Sequence, residues 1–284
     1  MAAAQTPPAA GEAGVLREAR RAALNYSTWL PDLICAEVIH READWNLSGQ
    51  WVPVDTLTAQ VTYFQRKESY KLTAHNGHPA SQKLDTLTGA ISEGEFGSML
   101  RWIFEPDAQA AFEWQGRQTI RRRPVSVFAY RVDDAHSRME LRALSQAAFV
   151  GFHGSVFIDD ETSLVLRLTA EVAGPGHFPI RESSMEIEYD WAEIAGHRYL
   201  VPVRAETRMT ENALETPGPK PPPASPTDSC GACDPPGPWP RPMARPAPAT
   251  PAKYRNRIEF RGYRKFTADS KLTFGGEAAA PAKH

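Results

Sequence analysis

Hydrophobic and polar residues alternate with a period of two along much of the chain. Residues 185–191 show this most clearly, because Met, Ile, Tyr and Trp there alternate with Glu, Glu and Asp. Residues 57–63, 164–172, 199–205 and 257–261 repeat the rhythm. Successive side chains of a β-strand point to opposite faces, so the pattern predicts strands with one buried and one solvated face.

Short turn sequences separate these strands. His75 and His78 enclose an Asn-Gly pair, which is a strong signal for a two-residue hairpin turn. Residues 121–123, 159–163 and 195–197 separate further strand-like runs. Consecutive hairpins predict an antiparallel meander, since a parallel sheet would need helices alternating with the strands.

Two segments instead show a helical period. Apolar residues recur at steps of three and four over residues 15–30, which end next to Pro31, and again over residues 93–104, which precede Pro106. The predicted fold is therefore mainly β (α+β), a strongly curved antiparallel meander or unclosed barrel. We expect about ten to eleven strands, an N-terminal helix and one internal helix, with the helices covering one side.

Proline-rich sequence interrupts the strand pattern once. Residues 214–253 lose all periodicity and contain 14 of the 25 prolines, which favour extended structure that cannot join a ladder. The strand rhythm resumes afterwards. We therefore predict a single β-rich domain over residues 15–273, with a disordered Pro-rich insertion at 214–253. Residues 1–14 and 274–284 are predicted to be disordered ends.

Composition limits the class of partner. The 284 residues carry 32 basic and 34 acidic side chains, a net charge of −2, so we expect no nucleic-acid partner. No apolar run is long enough for a transmembrane segment. Met1 precedes small residues and a polar Pro/Ala spacer, as in an exported chain whose leader has been removed. We therefore expect a periplasmic or otherwise extracytoplasmic location, with a cytosolic chain as the alternative.

Candidate reactive groups are few. Three cysteines are too few for a disulfide scaffold or a four-thiolate zinc site. Cys230 and Cys233 form a CxxC within the Pro-rich stretch, where no helix lowers a thiol pKa, so we expect a local disulfide or an inert pair. Cys35 then remains as a small buried thiol. His75 and His78 alone make only a partial metal site, and no cofactor, metal or catalytic residue is predicted.

Several stretches resemble a family of uncharacterised exported bacterial proteins. They are LPDLIC (30–35), GEFGSML (94–100), HGSVFID (153–159), SLVLR (163–167), YLVPVRA (199–205) and IEFRGYRKF (258–266). More distantly, the order of elements is similar to that of periplasmic lipoprotein-carrier and lipoprotein-sorting proteins. That resemblance implies an N-terminal helix, an unclosed antiparallel barrel and an apolar hollow that holds acyl chains.

Three functions are compatible with the sequence. The first is a non-catalytic periplasmic carrier or binding protein for a lipid or acyl chain. The second is an envelope interaction or structural protein that uses the Pro-rich segment as a tether for a protein partner. The third is a secreted enzyme with a site assembled from distant residues. For the carrier, the residues expected to line the cavity are Leu164, Leu166, Leu168, Met185, Ile187, Tyr189, Trp191, Val201 and Val203.

Overall fold

The computed structural model describes residues 10–45, 47–80, 95–143, 146–176, 178–212 and 251–266. Two α-helices lie within them, α1 (Ala10–Trp29) and α2 (Ser98–Phe104). The strands are β1 (Leu33–Asp44), β2 (Val52–Phe64), β3 (Lys67–His75), β4 (His78–Pro79), β5 (Ala111–Ile120), β6 (Arg123–Val132), β7 (Glu140–Ala143), β8 (Gln146–Phe149), β9 (Phe152–Asp159), β10 (Val165–Ala173), β11 (Ile180–Ile194), β12 (His197–Glu211) and β13 (Lys253–Lys265).

Eleven of these strands form one antiparallel sheet in the order β4-β3-β2-β1-β13-β12-β11-β10-β9-β6-β5. The last strand, β13, pairs with both β1 and β12, so it joins the two halves of the chain. β7 and β8 form a separate hairpin. No described pairing joins the outermost strands β4 and β5, so the sheet is not closed. The predicted unclosed antiparallel barrel with one N-terminal and one internal helix is confirmed.

The sheet has a buried inner face and a more exposed outer face. In β1 and β2, buried side chains alternate with partly exposed ones, as the period of two predicts. The inner face carries the main hydrophobic core, in which both helices pack against the strands. α1 contributes Ala19, Ala23 and Tyr26 to this core, and α2 contributes Met99 and Ile103. Strand side chains of the opposite parity form the outer face.

Both helices differ from their predicted bounds. α1 begins at Ala10, five residues before the predicted start, and residues 10–14 therefore lie in the helix. Alanine has the highest helix propensity, and Glu12 in the first turn interacts favourably with the helix dipole. α2 begins at Ser98 because Gly97 has a φ of 118°, which no helical residue adopts. Residues 81–94, where the prediction began this helix, lie outside the described residues.

Two-residue turns with positive φ at both positions close four of the hairpins. Asn76-Gly77 is the turn that the sequence predicts, and Ala195-Gly196 also contains a glycine. The turns Gln65-Arg66 and Arg121-Arg122 adopt the same left-handed geometry without glycine. This geometry matches the right-handed twist of the strands, so it fixes a tight register across each hairpin.

A buried ion pair joins the adjacent strands β6 and β9. Asp159 is fully buried, and Arg123 Nε and Nη2 donate to its two carboxylate oxygens at 2.7 Å each. Thr162 also donates to this carboxylate. Burial raises the pKa of Asp159, but the bonds from Arg123 and Thr162 outweigh this and lower it overall. The second partner of Arg123, Glu161, is mostly exposed.

Asp159→Ala should therefore lower the free energy of unfolding by about 2–4 kcal/mol, because it leaves Arg123 without its buried partner. Glu161→Ala removes the exposed partner of the same arginine and should cost at most about 0.5 kcal/mol. Urea unfolding of both variants measures the difference. Equal losses for the two variants would contradict this assignment of the buried pair.

Candidate functional site

Tyrosine hydroxyls attach the helices to one end of the inner face. Tyr26 of α1 donates a hydrogen bond to a backbone carbonyl of β12 at 2.9 Å. Tyr63 of β2 donates to a carbonyl of α1 at 3.2 Å, and Tyr189 of β11 donates to the carbonyl of Glu95 at 3.0 Å, just before α2. The rings of Tyr26 and Tyr189 meet edge to face at 5.9 Å. Helices and aromatic rings therefore fill this end of the inner face.

A row of polar side chains crosses the same face further along the strands. Asp55, Arg41, Asn256 and Thr207 are neighbours in register on β2, β1, β13 and β12. We call these four residues the polar row. Each has at most about a tenth of its side chain exposed. Buried polar groups are costly unless they are hydrogen-bonded, so a continuous row of them within an inner face marks a specific site.

The two charges of the polar row neutralise each other. Arg41 donates from Nε and Nη2 to the two oxygens of Asp55 at 2.6 Å each. His75 Nε2 lies 2.8 Å from Asp55 Oδ2. The hydrogen bond from Arg41 is the main cause of the lowered pKa of Asp55, and His75 lowers it further. The pair is therefore polar, carries no net charge and lies in a buried position.

Thr207 differs from the other members of the row. Its Oγ1 atom is buried and has no hydrogen-bond partner among the described residues. A hydroxyl can donate one hydrogen bond and accept two, so this atom keeps its whole bonding capacity. On β11 the register partner of Thr207 is Met185, and the partner of Met185 on β10 is Ala170. The polar row therefore continues into an apolar row.

Apolar residues flank the polar row on both sides. One side is the main core, to which Ile39, Ile258 and Ala205 belong. On the other side, Met209 belongs to a second cluster, which Tyr254 packs against. The second cluster consists of Leu141, Val150, Phe178, Ile180 and Met209. The inner face is therefore apolar, then polar, then apolar along the strands.

Exposed apolar side chains lie at the adjoining end of the sheet. Trp45, Leu47, Val52 and Val54 belong to the β1–β2 connection and the start of β2, and each is 40–50% exposed. We call these four residues the apolar rim. The Trp45 ring meets the ring of Tyr254 edge to face at 5.8 Å. The apolar rim is thus continuous with the second cluster.

The structure brings together eight of the nine predicted cavity residues. Leu166, Leu168, Ile187, Tyr189 and Val201 are buried in the main core. The partly buried residues that pack against them are Leu164, Met185 and Trp191. Val203 lies outside this cluster, because a register shift between Glu188 and Tyr189 leaves it opposite no residue of β11. That these residues line a ligand cavity stays a prediction.

Sequence reasoning missed the polar row. Arg41 follows Leu33, Cys35, Glu37 and Ile39 at steps of two, so a charge at an inward position was the available signal. The histidines of the β3–β4 hairpin are register partners, as predicted. The carboxylate of Asp55 beside His75 was not expected. Cys35 is buried, and this burial raises the pKa of its thiol to about 12; Cys230 and Cys233 lie outside the described residues.

A groove of about 670 Å³ lies elsewhere, mainly on the outer face. Its lining includes Glu171, Ser184, Arg208 and Arg255, and the Arg255 guanidinium lies 4.5 Å from the centre of the Trp51 ring. None of the nine predicted cavity residues lines this groove. No helix among the described residues is long and apolar enough to cross a bilayer.

Comparison with known proteins finds only distant structural similarity. No family model matches the sequence, and no curated protein is significantly similar to it. A LolA superfamily protein from Nitrosomonas europaea is 12% identical over 92% of this chain and 96% of its own, with a TM-score of 0.35. A DUF1329 family protein from Desulfovibrio piger is 7% identical over 91% and 95%, with a TM-score of 0.38.

A third similar structure is a putative outer membrane lipoprotein-sorting protein domain from Vibrio parahaemolyticus. It is 10% identical over 92% of this chain and 95% of its own, with a TM-score of 0.36. The structural neighbours thus include the lipoprotein-sorting group that the sequence resembles. Similarity this distant supports no assignment of function, which depends on the geometry of the inner face itself.

The buried tyrosines predict how stability depends on pH. Burial is the main cause that raises the pKa of Tyr63 to about 12, and it raises those of Tyr26 and Tyr189 well above the ordinary value. The unfolded chain releases these protons near pH 10, whereas the folded chain retains them. Stability should therefore be complete below about pH 10 and fall as the pH rises towards about 12.

Thermal unfolding followed by circular dichroism between about pH 8 and 12 checks this dependence. Tyr63→Phe should make the decline shallower, because it removes one group whose pKa is raised in the folded state. Tyrosinate absorbance of the native protein gives an independent measurement. A native chain in which all tyrosines titrate near the ordinary pKa would contradict the burial of these hydroxyls.

Proposed function

We propose that this protein is a non-catalytic, extracytoplasmic carrier or binding protein for an apolar ligand such as a lipid or an acyl chain. The observation that carries the proposal is the amphipathic inner face, whose apolar surface continues from the buried core to the exposed rim. Partly buried Met185, Val172 and Tyr254 lie between Leu168 and the apolar rim. The extracytoplasmic location in this proposal rests on the family resemblance of the sequence.

The apolar rim supports this proposal. Isolated exposed apolar side chains are common, but Trp45, Leu47, Val52 and Val54 are grouped within ten residues of one connection. Each Å² of apolar surface removed from water contributes about 25 cal/mol, so such a group favours contact with an apolar molecule. An acyl chain that reached the inner face past this rim would remain in contact with apolar side chains.

Native mass spectrometry tests the proposal directly. The full chain is purified from a periplasmic fraction without detergent, and any bound molecule is extracted and identified. A stoichiometric adduct with the mass of a lipid is the expected result. A mass equal to that of the bare chain, which also does not change after incubation with vesicles, would overturn the carrier proposal.

Met185→Trp should reduce uptake of a fluorescent acyl-chain probe at least about tenfold, because the larger ring fills the inner face beside Thr207. Glu186→Trp is the matched control: the same substitution at the next residue of β11 places the ring on the outer face. Equilibrium titration of both variants measures the difference. Equal losses, or no loss in either variant, would contradict binding at the inner face.

The Pro-rich tether is the second candidate function, and it lies outside the described residues. A deletion of residues 217–250 keeps Ala252, whose carbonyl accepts the Glu211 N–H at 2.9 Å where β12 leads towards β13. Under the carrier proposal, the deletion leaves uptake of the acyl-chain probe unchanged. Normal uptake together with loss of an envelope partner in pull-down experiments would show that the tether has a separate function.

A further inference from the structure

One hydroxyl of the polar row forms no hydrogen bond with the described residues. Thr207 is 5% exposed, and its Oγ1 has no hydrogen-bond partner among the described residues. Leaving a buried hydroxyl unbonded costs free energy, and valine has nearly the same shape without that cost. The Thr207 hydroxyl is therefore available for a hydrogen bond to a molecule that enters the inner face.

The neighbours of Thr207 within the polar row are polar, and the charges of Arg41 and Asp55 balance each other. Asn256 is its register partner on β13, and an amide both donates and accepts hydrogen bonds. Arg41, the next member of the row, is already bound to both oxygens of Asp55. His75, at the far end of the row, is bonded to the same carboxylate. This set of groups fits an uncharged ligand group better than a carboxylate or a phosphate.

The apolar row beside Thr207 indicates where the rest of a ligand would lie. From Thr207 on β12, the row continues to Met185 on β11 and Ala170 on β10. A molecule bonded to Thr207 through its polar end would therefore lay its apolar part across β11 and β10. Leu168 and Ile187, which are buried in the adjoining main core, form the next row.

We propose that the polar row is a head-group site, in which Thr207 and Asn256 bind the uncharged ester, amide or hydroxyl group of an amphiphile. The acyl chain of this amphiphile lies on Met185 and Ala170. This inference rests on the carrier function proposed above and adds the ligand class: neutral acyl esters, amides and alcohols are preferred over fatty-acid anions and over pure hydrocarbons.

Thr207→Val tests the proposal, since it removes the hydroxyl and preserves the shape. The control is Thr62→Val, the same substitution on the outer face of β2, where Thr62 is the register partner of Ile34. Three probes are titrated into the full-length protein: a monoacylglycerol, a fatty acid of the same chain length and the fluorescent hydrocarbon diphenylhexatriene. Thermal unfolding without ligand is measured for each variant.

We expect Thr207→Val to weaken monoacylglycerol binding about tenfold, equivalent to about 1.4 kcal/mol, while binding of the hydrocarbon stays unchanged. Its melting temperature should not fall, because no described residue bonds to the lost hydroxyl. Thr62→Val should match the wild type with every probe. A lower melting temperature combined with equal losses for monoacylglycerol and hydrocarbon would overturn the head-group role.

Two further outcomes separate this inference from the proposed function. If the wild type binds the hydrocarbon, and the wild type and Thr207→Val bind monoacylglycerol with equal affinity, the head-group site is wrong and the carrier function stands. If the wild type binds the fatty acid more tightly than the monoacylglycerol, the head-group site is likewise wrong and the carrier function stands. If the wild type binds none of the three probes, the carrier function itself fails.

Discussion

The attachment of the two helices to one end of the inner face is the interaction on which the rest of the structure depends. Tyrosine suits this role because its ring packs in the core while its hydroxyl bonds to a backbone carbonyl. The Tyr26 ring also lies so close to Gly97 that a Cβ atom there would be 2.9 Å from it. The start of α2 is therefore fitted to α1, and this end of the sheet becomes a filled core.

Because that end is filled, the ligand site that we propose lies towards the other end of the inner face. The polar row marks the boundary between the two regions. On β2, β1, β13 and β12 it lies between the main core and the second cluster, whereas Val172 on β10 packs against both clusters. The inner face is therefore interrupted by polar groups on four strands and remains apolar on β10.

Much of the fold could be predicted from local patterns, because alternation and hairpin turns act over a few residues. The strands, the Asn76-Gly77 turn and both helices follow from such patterns. The polar row could not be predicted in this way, because Asn256 pairs with Arg41 across more than two hundred residues of sequence. The register of Val203 could not be predicted for a related reason: its position in the alternation is inward, but a bulge against β11 leaves it opposite no residue of that strand.

Packing alone does not require the polar row, and we infer that it serves to bind a ligand. If the inner face served only for packing, apolar residues could occupy these four positions. Ile39, Ile258 and Ala205 do so in the neighbouring row. Arg41 and Asp55 instead form an ion pair, so this part of the face is polar and the two charges balance each other. Thr207 adds a hydroxyl that no described residue bonds. Under our proposal, a molecule with a neutral polar group and an apolar chain complements both parts of this surface, whereas an ion or a pure hydrocarbon complements only one.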